Sequence, residues 1–332
     1  MSTDRIEEID ILKGFAILLV VLVHSFILFP VNLLRVPWCL TLFKWLGAVP
    51  MPLFFLISGY CFSYRGNYRE YLGKKAARLV IPYVVFGFAD VVPRVLFTSL
   101  VNRPASVAEC LWRMAFRGGE LWFLYVLFEI FLIFPLLYPL LRRPLAAVCL
   151  LLCTGALHFL PGLPETFLIN RLCRYLMYFM AGFLLRQHAP ALSSCAEWFR
   201  RRRTLSGILS LAAFAAWWLS FLHPFLPSRY DLRGLWELLL ACLTFLLAAY
   251  ALRGTPPGRL LSGWGIYSLQ IYALNGFILA VSRTLTVLVL EITSPAVIVA
   301  VNLLMDLEFS YLFSRYFLSR FRVTRLLSGL RV

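Results

Sequence analysis

Charge is scarce in this sequence, and negative charge is the scarcer sign. Only 14% of the 332 residues are charged, against about 25% in an ordinary soluble domain, and 16 Asp and Glu stand against 32 Lys and Arg. With 61% hydrophobic residues and a mean hydropathy of +0.81, the chain is too apolar for a water-soluble domain. We therefore predict an integral membrane protein that crosses the bilayer several times.

The net charge of +16 does not by itself indicate a nucleic-acid-binding protein. The Lys and Arg residues stand in short clusters between apolar runs, as expected where positive charge is retained on the cytoplasmic side of a membrane. We therefore predict membrane lipids as partners and no nucleic acid.

The eight cysteines lack the spacing of a metal or redox site, since no CxxC or Cys/His cluster occurs. Most lie within or beside apolar runs, where a free thiol behaves as a small apolar residue. We predict no metal. A disulfide between Cys39 and Cys110, which both fall outside in the predicted topology, is the one pairing that the pattern leaves open.

No small-residue cleavage site follows the first apolar run, so we expect that run to be kept as a membrane span with a cytoplasmic N-terminus. Hydropathy predicts ten spans, near 9–29, 45–63, 79–101, 120–141, 145–163, 171–188, 205–226, 235–252, 260–281 and 294–315. The apolar stretch 284–292 is too short to span and is either an extension of the ninth span or a surface segment.

No linker or repeat interrupts this pattern. We predict a single all-α, polytopic membrane domain over residues 1–332, with a core at about 5–315 and a basic cytoplasmic tail at 316–332. Both termini are expected to be cytoplasmic, and most of the Lys and Arg residues then lie on the cytoplasmic side.

Two ionisable residues occupy the first span. Lys13 stands near its cytoplasmic end and His24 lies eleven residues further on. At about 100° per residue, eleven residues end about 20° from a whole number of turns, so both side chains share one face about 16 Å apart. Snorkelling to the phosphate layer explains the Lys, but an imidazole in the bilayer is costly and points to a polar cavity.

The segment 64–78 is a predicted cytoplasmic loop with five basic residues, Arg65, Arg69, Lys74, Lys75 and Arg78. They either anchor the topology or bind phosphates, since clustered Arg and Lys hold phosphates well. Pro82 is expected to bend the third span soon after it begins.

Three further spans carry unusual residues. In the second, prolines bracket Met51 and the small residues Ser58 and Gly59 interrupt the helix, which indicates either close helix packing or a cavity. The fourth opens with the aromatic residues Trp122, Phe123 and Tyr125 and places Glu129 about two turns deeper. The ninth carries the polar residues Tyr267, Ser268, Tyr272 and Asn275.

Five of these stretches occur in a recognisable order. They read "RIEEIDILKGFAILLVVLVHS", "MPLFFLISGY", "RLVIPY", "LWFLYVL" and "YSLQIY". In this order they resemble the signatures of the acyltransferase-3 family of integral-membrane acyltransferases. The resemblance runs from about residue 5 to residue 315.

This resemblance implies a ten-helix enzyme of the bacterial inner membrane. Such an enzyme takes an acyl group, most often acetyl, from cytoplasmic acyl-CoA and delivers it to a hydroxyl of a cell-surface or secreted glycan or its lipid-linked precursor. The family's basic residue and histidine match Lys13 and His24, its arginine before the third span matches Arg78, and its Trp-Phe pair matches Trp122 and Phe123.

Two departures from the family pattern stand out. Many members have His where this chain has Asn275, and a subset has an acidic residue closer to the tryptophan than Glu129 is. The first departure argues against a mechanism with two histidines.

The candidate site follows from the residues and the resemblance together. The catalytic candidates are His24, Glu129 and Asn275; the candidates for binding acyl-CoA are Lys13, Lys74, Lys75 and Arg78; the candidates for contacting substrate are Ser58, Trp122, Tyr125, Tyr267 and Ser268. A histidine suits the base that takes the proton of an attacking hydroxyl, and it serves equally as a nucleophile. Direct transfer and an acyl-histidine intermediate therefore both stay open.

Two other functions remain open from the sequence. In a proton-coupled transporter or flippase of an envelope precursor, His24, Asp90 and Glu129 would relay protons. Alternatively, the chain keeps the fold as a binding module without activity. No sequence pattern predicts the acceptor, the length of the acyl group or the oligomeric state.

Overall fold

The computed structural model describes residues 6–96, 105–141, 143–223 and 232–330. These residues form α-helices, short 3-10 turns and two π-helical segments, and none of them is in a strand. The α-helices are α1 (Glu7–Ser25), α2 (Pro37–Leu46), α3 (Pro50–Tyr60), α4 (Tyr68–Leu96), α5 (Val107–Arg117), α6 (Trp122–Leu141), α7 (Pro144–Phe159), α8 (Ile169–Gln187), α9 (Ala189–Arg201), α10 (Arg203–Leu222), α11 (Leu232–Leu252), α12 (Pro256–Ile266), α13 (Ser268–Arg283), α14 (Pro295–Phe313) and α15 (Arg322–Leu327). The predicted all-α class is confirmed.

Seven helical segments in the described part of the chain are long and apolar enough to cross a membrane. They are Pro37–Tyr60, Val107–Leu141, Thr166–Gln187, Arg203–Leu222, Leu232–Leu252, Ser268–Val289 and Pro295–Leu318. They coincide with seven of the ten predicted spans. The other three predicted spans fall on α1, α4 and the shorter apolar helix α7, so the count of ten and the orientation of the termini stay predictions.

The prediction of a loop at 64–78 is wrong for most of its length, because α4 begins at Tyr68. The cytoplasmic side of this segment stays a prediction. The Oδ1 atom of Asn67 accepts a hydrogen bond from the backbone N–H of Glu70, at 3.1 Å, and so caps the helix. The helix then runs without interruption through Pro82 to Leu96. Four of the five basic residues therefore lie on a helix, and Arg65 precedes it.

The second and ninth predicted spans are each broken. Residues 47–49 separate α2 from α3, and Pro50 takes the first position of α3, where its missing N–H costs nothing. Tyr267 separates α12 from α13. A π-helical segment, Thr284–Val289, continues α13 directly, which favours the prediction that this stretch extends the ninth span.

The chain divides into two compact units. The first unit comprises Met1–Leu19, Lys44–Phe62 and Tyr178–Ser268, and the second comprises Val20–Phe43, Ser63–Met177 and Leu269–Val332. Helix α1 passes from the first unit to the second between Leu19 and Val20.

Small residues let helices of the first unit approach closely. A Cβ added to Gly59 of α3 would collide with the backbone carbonyl of Phe179 in α8, and one added to Gly182 would collide with that of Leu56. The interrupted middle of the second span is thus a helix contact, which is one of its two predicted explanations.

The second unit contains the paired helices α4 and α6. The phenol of Tyr68 donates to the carbonyl of Leu132 at 2.8 Å, and the rings of Tyr83 and Tyr125 lie 5.8 Å apart further along. These two contacts run in opposite directions along the two helices, so α4 and α6 are antiparallel. A separate apolar cluster joins Phe26, just after α1, to Leu279 of α13.

The predicted basic tail is folded in its described part. Residues Ser314–Leu318 form the second π-helical segment, and Arg322–Leu327 form α15, which packs against α4. Cys39 and Cys110 are both free, buried thiols, so the disulfide left open by the sequence is absent from the structure.

Candidate active site

His24 lies in the last turn of α1, and its ring is exposed. Its Nδ1 atom is 2.7 Å from the backbone carbonyl oxygen of Val20. A carbonyl oxygen only accepts hydrogen bonds, so Nδ1 carries the proton and donates it. The lone pair of the neutral ring is therefore on Nε2, which is the arrangement that a general base or nucleophile requires.

Lys13 lies on the same uninterrupted helix, in the part that belongs to the first unit. Its Nζ atom is 3.1 Å from Oδ1 of Asp10, whose side chain is 8% exposed. The ammonium thus has a carboxylate partner one turn earlier. The shared face of Lys13 and His24 stays a prediction from their spacing.

Lys74, Lys75 and Arg78 occupy neighbouring turns of α4 in the second unit, and we call them the α4 cation cluster. Lys74 Nζ is 2.5 Å from Oε1 of Glu70, and this hydrogen-bonded ammonium lowers the pKa of the Glu70 carboxyl below its ordinary value. Lys75 Nζ lies 3.9 Å from the centre of the Phe131 ring. Arg78 is exposed.

A groove of about 350 Å³ lies between α4 and α6, directly after the α4 cation cluster. Its wall is apolar except for two phenols and one carboxyl group, and it is formed by Leu79, Val80, Tyr83, Val84, Leu124, Tyr125, Phe128, Glu129 and Leu132. The phenols of Tyr83 and Tyr125 donate to the carbonyls of Met114 and Ala115.

Glu129 is the acidic residue of this groove. Its Oε2 atom is buried and has no hydrogen-bond partner among the described residues. A buried carboxylate oxygen without a partner is costly, and such groups are retained where they act on a ligand or a proton. The structure thus places one of the predicted catalytic residues, Glu129, in this groove.

Trp122 begins α6 and faces α8. The Arg171 guanidinium carbon lies 4.2 Å from the centre of its ring, and the Tyr175 ring lies 5.5 Å away. The phenol of Tyr272 fixes this end of α6 to α13, because it donates to the carbonyl of Glu120 at 3.1 Å and accepts from the N–H of Phe123 at 3.4 Å.

Asn275 lies one turn beyond Tyr272 on α13 and is 5% exposed. Its Nδ2 atom donates to Oδ2 of Asp306 at 2.6 Å, and Oδ1 of Asp306 accepts from the hydroxyl of Ser310 at 3.2 Å. Asp306 is fully buried. The sequence reasoning missed Asp306, although an acidic residue inside the tenth predicted span is a signal of the kind that singled out Glu129.

The remaining candidates lie in the first unit. Ser58 is half-buried on α3, Tyr267 stands at the break between α12 and α13, and Ser268 opens α13.

Two chemical groupings are thus present in the second unit. The α4 cation cluster stands beside the groove with Glu129, and His24 presents Nε2 at the end of α1. Among the described residues, no group of three or more His, Cys, Asp or Glu is placed to hold a metal ion.

Comparison with known proteins gives one match. The sequence model of the acyltransferase-3 family, described as an acyltransferase domain, matches residues 6–305. A search of curated proteins and a search of solved structures each gave no match.

Proposed function

This chain belongs to the acyltransferase-3 family, and from that premise we propose that it is an O-acyltransferase of the bacterial inner membrane. In this proposal it moves an acyl group, acetyl in the first instance, from cytoplasmic acyl-CoA to a hydroxyl. The acceptor is a glycan of the cell surface or its lipid-linked precursor. Ten spans with both termini in the cytoplasm are part of the proposal.

The observation that carries the proposal is the hydrogen bond of His24. Since Nδ1 donates to the carbonyl of Val20, Nε2 is free to take a proton. In direct transfer, Nε2 removes the proton of the acceptor hydroxyl as its oxygen forms a bond to the thioester carbonyl carbon. The carbon–sulfur bond then breaks, and the thiolate of CoA leaves and is protonated by the imidazolium. A base placed in this way contributes about 10² to 10⁴ in rate.

The donor's phosphates need cations that water can reach. Lys75 and Arg78 supply two of them, and Lys74 supplies a third that Glu70 partly neutralises. We assign donor binding to this α4 cation cluster. Lys13 keeps its predicted assignment to the donor because it stands eleven residues before His24 in the sequence.

Trp122 and Tyr125 are assigned to substrate contact, together with Ser58, Tyr267 and Ser268. Trp122 already stacks against the guanidinium of Arg171, and sugars commonly pack on such aromatic faces. Glu129, in the groove, is assigned a role in orienting the donor or moving a proton. Asn275 keeps its predicted place among the catalytic candidates, and its hydrogen bond to Asp306 fixes the position of its side chain.

The experiment is thioester cleavage by the full chain purified in nanodiscs. Acetyl-CoA, succinyl-CoA and longer acyl-CoA esters are supplied with a crude glycan extract, and wild type is compared with His24→Ala and Lys13→Ala. We expect His24→Ala to lose turnover by 10² or more while CoA still binds, and Lys13→Ala to raise the KM for the donor.

Two results would contradict the proposal. If no CoA ester binds to the wild type, the acyltransferase assignment fails, and proton-coupled transport through Glu129 becomes the function to test. If His24→Ala turns over at the wild-type rate, the imidazole is neither base nor nucleophile.

A further inference from the structure

Helix α9 connects two segments that are each long and apolar enough to cross a membrane, Thr166–Gln187 and Arg203–Leu222. A helix between two crossing segments lies at one membrane surface, because both segments end there. With 13 residues, α9 is about 20 Å long, which lets it extend along that surface. No residue of α9 is buried. Its half-buried and exposed side chains therefore decide what lies next to it.

The last turn of α9 is fixed to the rest of the first unit. The ring of Phe199 stacks on that of Tyr250 in α11, with the ring centres 6.2 Å apart. Nε of Arg200 donates to Oε1 of Glu8 in α1 at 2.7 Å. The hydroxyl of Ser206 in α10 donates to the carbonyl of Phe199 at 2.9 Å. These contacts set the rotation of α9 about its own axis.

A row of apolar side chains on α9 is exposed, and we call it the α9 apolar stripe. Leu192 and Trp198 are 49% and 44% exposed, and the thiol of Cys195 between them is exposed as well. These residues are three positions apart, so each is rotated by about 60° from the next and the three form one slanted row. Trp198 and Arg200 are two positions apart, about 160° around the helix. Trp198 therefore faces away from the side that Arg200 joins to α1.

Two neighbouring arginines at the end of α9 make different contacts. Nε of Arg201 lies 3.5 Å from Oε2 of Glu197, one turn earlier on the helix. Arg202, which follows the last residue of α9, places its guanidinium carbon 4.2 Å from the centre of the Trp198 ring. Both arginines are exposed. Arg201 thus stands beside a carboxylate, and Arg202 stands beside the α9 apolar stripe.

The charge of this segment is positive. Residues 186–203 include five arginines and one acidic residue, Glu197. The described ion pairs of this segment involve Arg200 and Arg201, whereas Arg202 lies over an aromatic ring. Helices that lie in a membrane interface combine leucine and tryptophan on one side with arginine beside them. A basic residue next to such an apolar row attracts the negatively charged headgroups of the same membrane.

We propose that α9 lies in the membrane interface and that Leu192, Trp198 and Arg202 bind an anionic phospholipid. The guanidinium of Arg202 binds the phosphate, the indole of Trp198 stands at the level of the headgroups, and Leu192 contacts the acyl chains. A second copy of this chain fits the face poorly, because a symmetric contact would bring the same arginines together. The inference goes beyond the proposed function and does not depend on acyl transfer.

The test measures quenching of tryptophan fluorescence by brominated lipids. The full chain is placed in phosphatidylcholine nanodiscs that contain brominated phosphatidylglycerol or brominated phosphatidylcholine at increasing mole fraction. The difference between wild type and Trp198→Phe reports the quenching of Trp198 itself. We expect brominated phosphatidylglycerol to quench Trp198 at a lower mole fraction than brominated phosphatidylcholine does. Arg202→Gln, compared with Arg202→Gln/Trp198→Phe, should raise the phosphatidylglycerol fraction for half-quenching about fivefold, which is about 1 kcal/mol.

The neighbouring arginine provides the matched control. Arg201→Gln removes the same charge from the adjacent residue, whose guanidinium stands beside Glu197, and should change the half-quenching fraction by about twofold or less. Arg202→Lys keeps the charge and should retain most of the preference for phosphatidylglycerol. If Trp198→Phe does not purify as a monodisperse protein, Trp198→Tyr takes its place in the difference measurement.

Several results would overturn the inference. If brominated lipids quench wild type and Trp198→Phe to the same extent, Trp198 is not in contact with lipid. If both brominated lipids quench Trp198 equally, the contact has no preference for an anionic headgroup. Equal shifts in Arg201→Gln and Arg202→Gln would show a general effect of net charge. If Trp198 is not quenched and Trp198→Phe converts a dimer into a monomer by light scattering, the α9 apolar stripe is an interface between copies instead.

Discussion

Asn275 and Asp306 are joined by a buried hydrogen bond of 2.6 Å between α13 and α14. Both side chains are at most 5% exposed, and Ser310 supplies a second donor to the carboxyl group. In the family pattern that the sequence resembles, many members have histidine at the position of Asn275. In this chain, the amide of Asn275 donates a hydrogen bond to a buried acidic side chain. A neutral amide can do this without transferring a proton.

Removal of the amide should therefore destabilise the protein. Asn275→Ala leaves Oδ2 of Asp306 without its donor, at an expected cost of about 1 to 3 kcal/mol, and thermal unfolding in detergent measures it. Ser310→Ala removes the longer bond and should cost less. If Asn275→Ala/Asp306→Ala is no more stable than Asn275→Ala, the cost does not come from the unpaired carboxyl group.

Substitution of Glu129 is expected to increase stability, in contrast to substitution of Asn275. Its Oε2 atom is buried without a partner among the described residues, in a groove that is otherwise mostly apolar. Glu129→Leu should raise the unfolding temperature, by the equivalent of about 1 to 3 kcal/mol, because it removes an unpaired polar group from the groove wall. The same variant should lose acyl-transfer activity by tenfold or more. The carboxyl group would then serve the reaction at a cost in stability.

A neighbouring residue provides the control for Glu129. Phe128→Leu changes the same groove without touching a titratable group and should keep turnover within a few-fold of wild type. If Glu129→Leu lowers the unfolding temperature and leaves turnover unchanged, Glu129 is a structural residue and the groove is not part of the site.

The glycines of the first unit permit a clear packing test. Gly59→Ala places a methyl group against the backbone carbonyl of Phe179, and neither backbone has room to move without shifting a helix. We expect a loss of about 1 to 3 kcal/mol or failure to fold, seen as a lower yield of monodisperse protein. Gly276→Ala on α13 is the matched control because its Cβ would meet nothing within 4 Å. Equal behaviour of the two variants would contradict the tight contact.

The sequence predicted the parts that depend on neighbouring residues. Lys13 and His24 share one helix, and the break before Pro50 follows from the prolines. Segment 64–78 was predicted as a loop, but most of it belongs to α4. The helical state of that loop was missed because a basic segment next to a span was assigned by charge alone. Asn67 at its start, three residues before Glu70, is the capping signal that indicates a helix.

Local sequence patterns could not predict contacts between residues that are far apart in the sequence. Ser328 and Gln270 are 58 residues apart, and Tyr272 and Glu120 are 152 residues apart. Nothing in the period of hydrophobic residues tells which carbonyl a buried side chain will find. The C-terminal segment was therefore predicted as a plain basic tail. In the structure, Gly329 packs so closely against Pro82 that an added Cβ would lie 2.8 Å from its Cγ atom.

Glu70 provides a prediction that depends on pH. Because Lys74 lowers the pKa of its carboxyl group, Glu70 stays ionised below its ordinary range. The stabilisation of α4 by this pair is present above the unfolded pKa of about 4.3 and is lost as the pH falls through the lower folded value. At neutral pH, Glu70 is charged, and in the proposed donor site it would compete with a donor phosphate for Lys74.

Glu70→Gln should therefore tighten CoA binding in nanodiscs by a few-fold at pH 7, because it frees Lys74 for the donor. The gain should shrink as salt is raised, since both groups are exposed and the interaction is screened. Glu109→Gln, which removes the carboxylate from a comparable surface pair with Arg113, is the control and should leave CoA binding unchanged. A gain of equal size in both variants would show a general effect of net charge, and no gain in Glu70→Gln would remove Lys74 from the donor site.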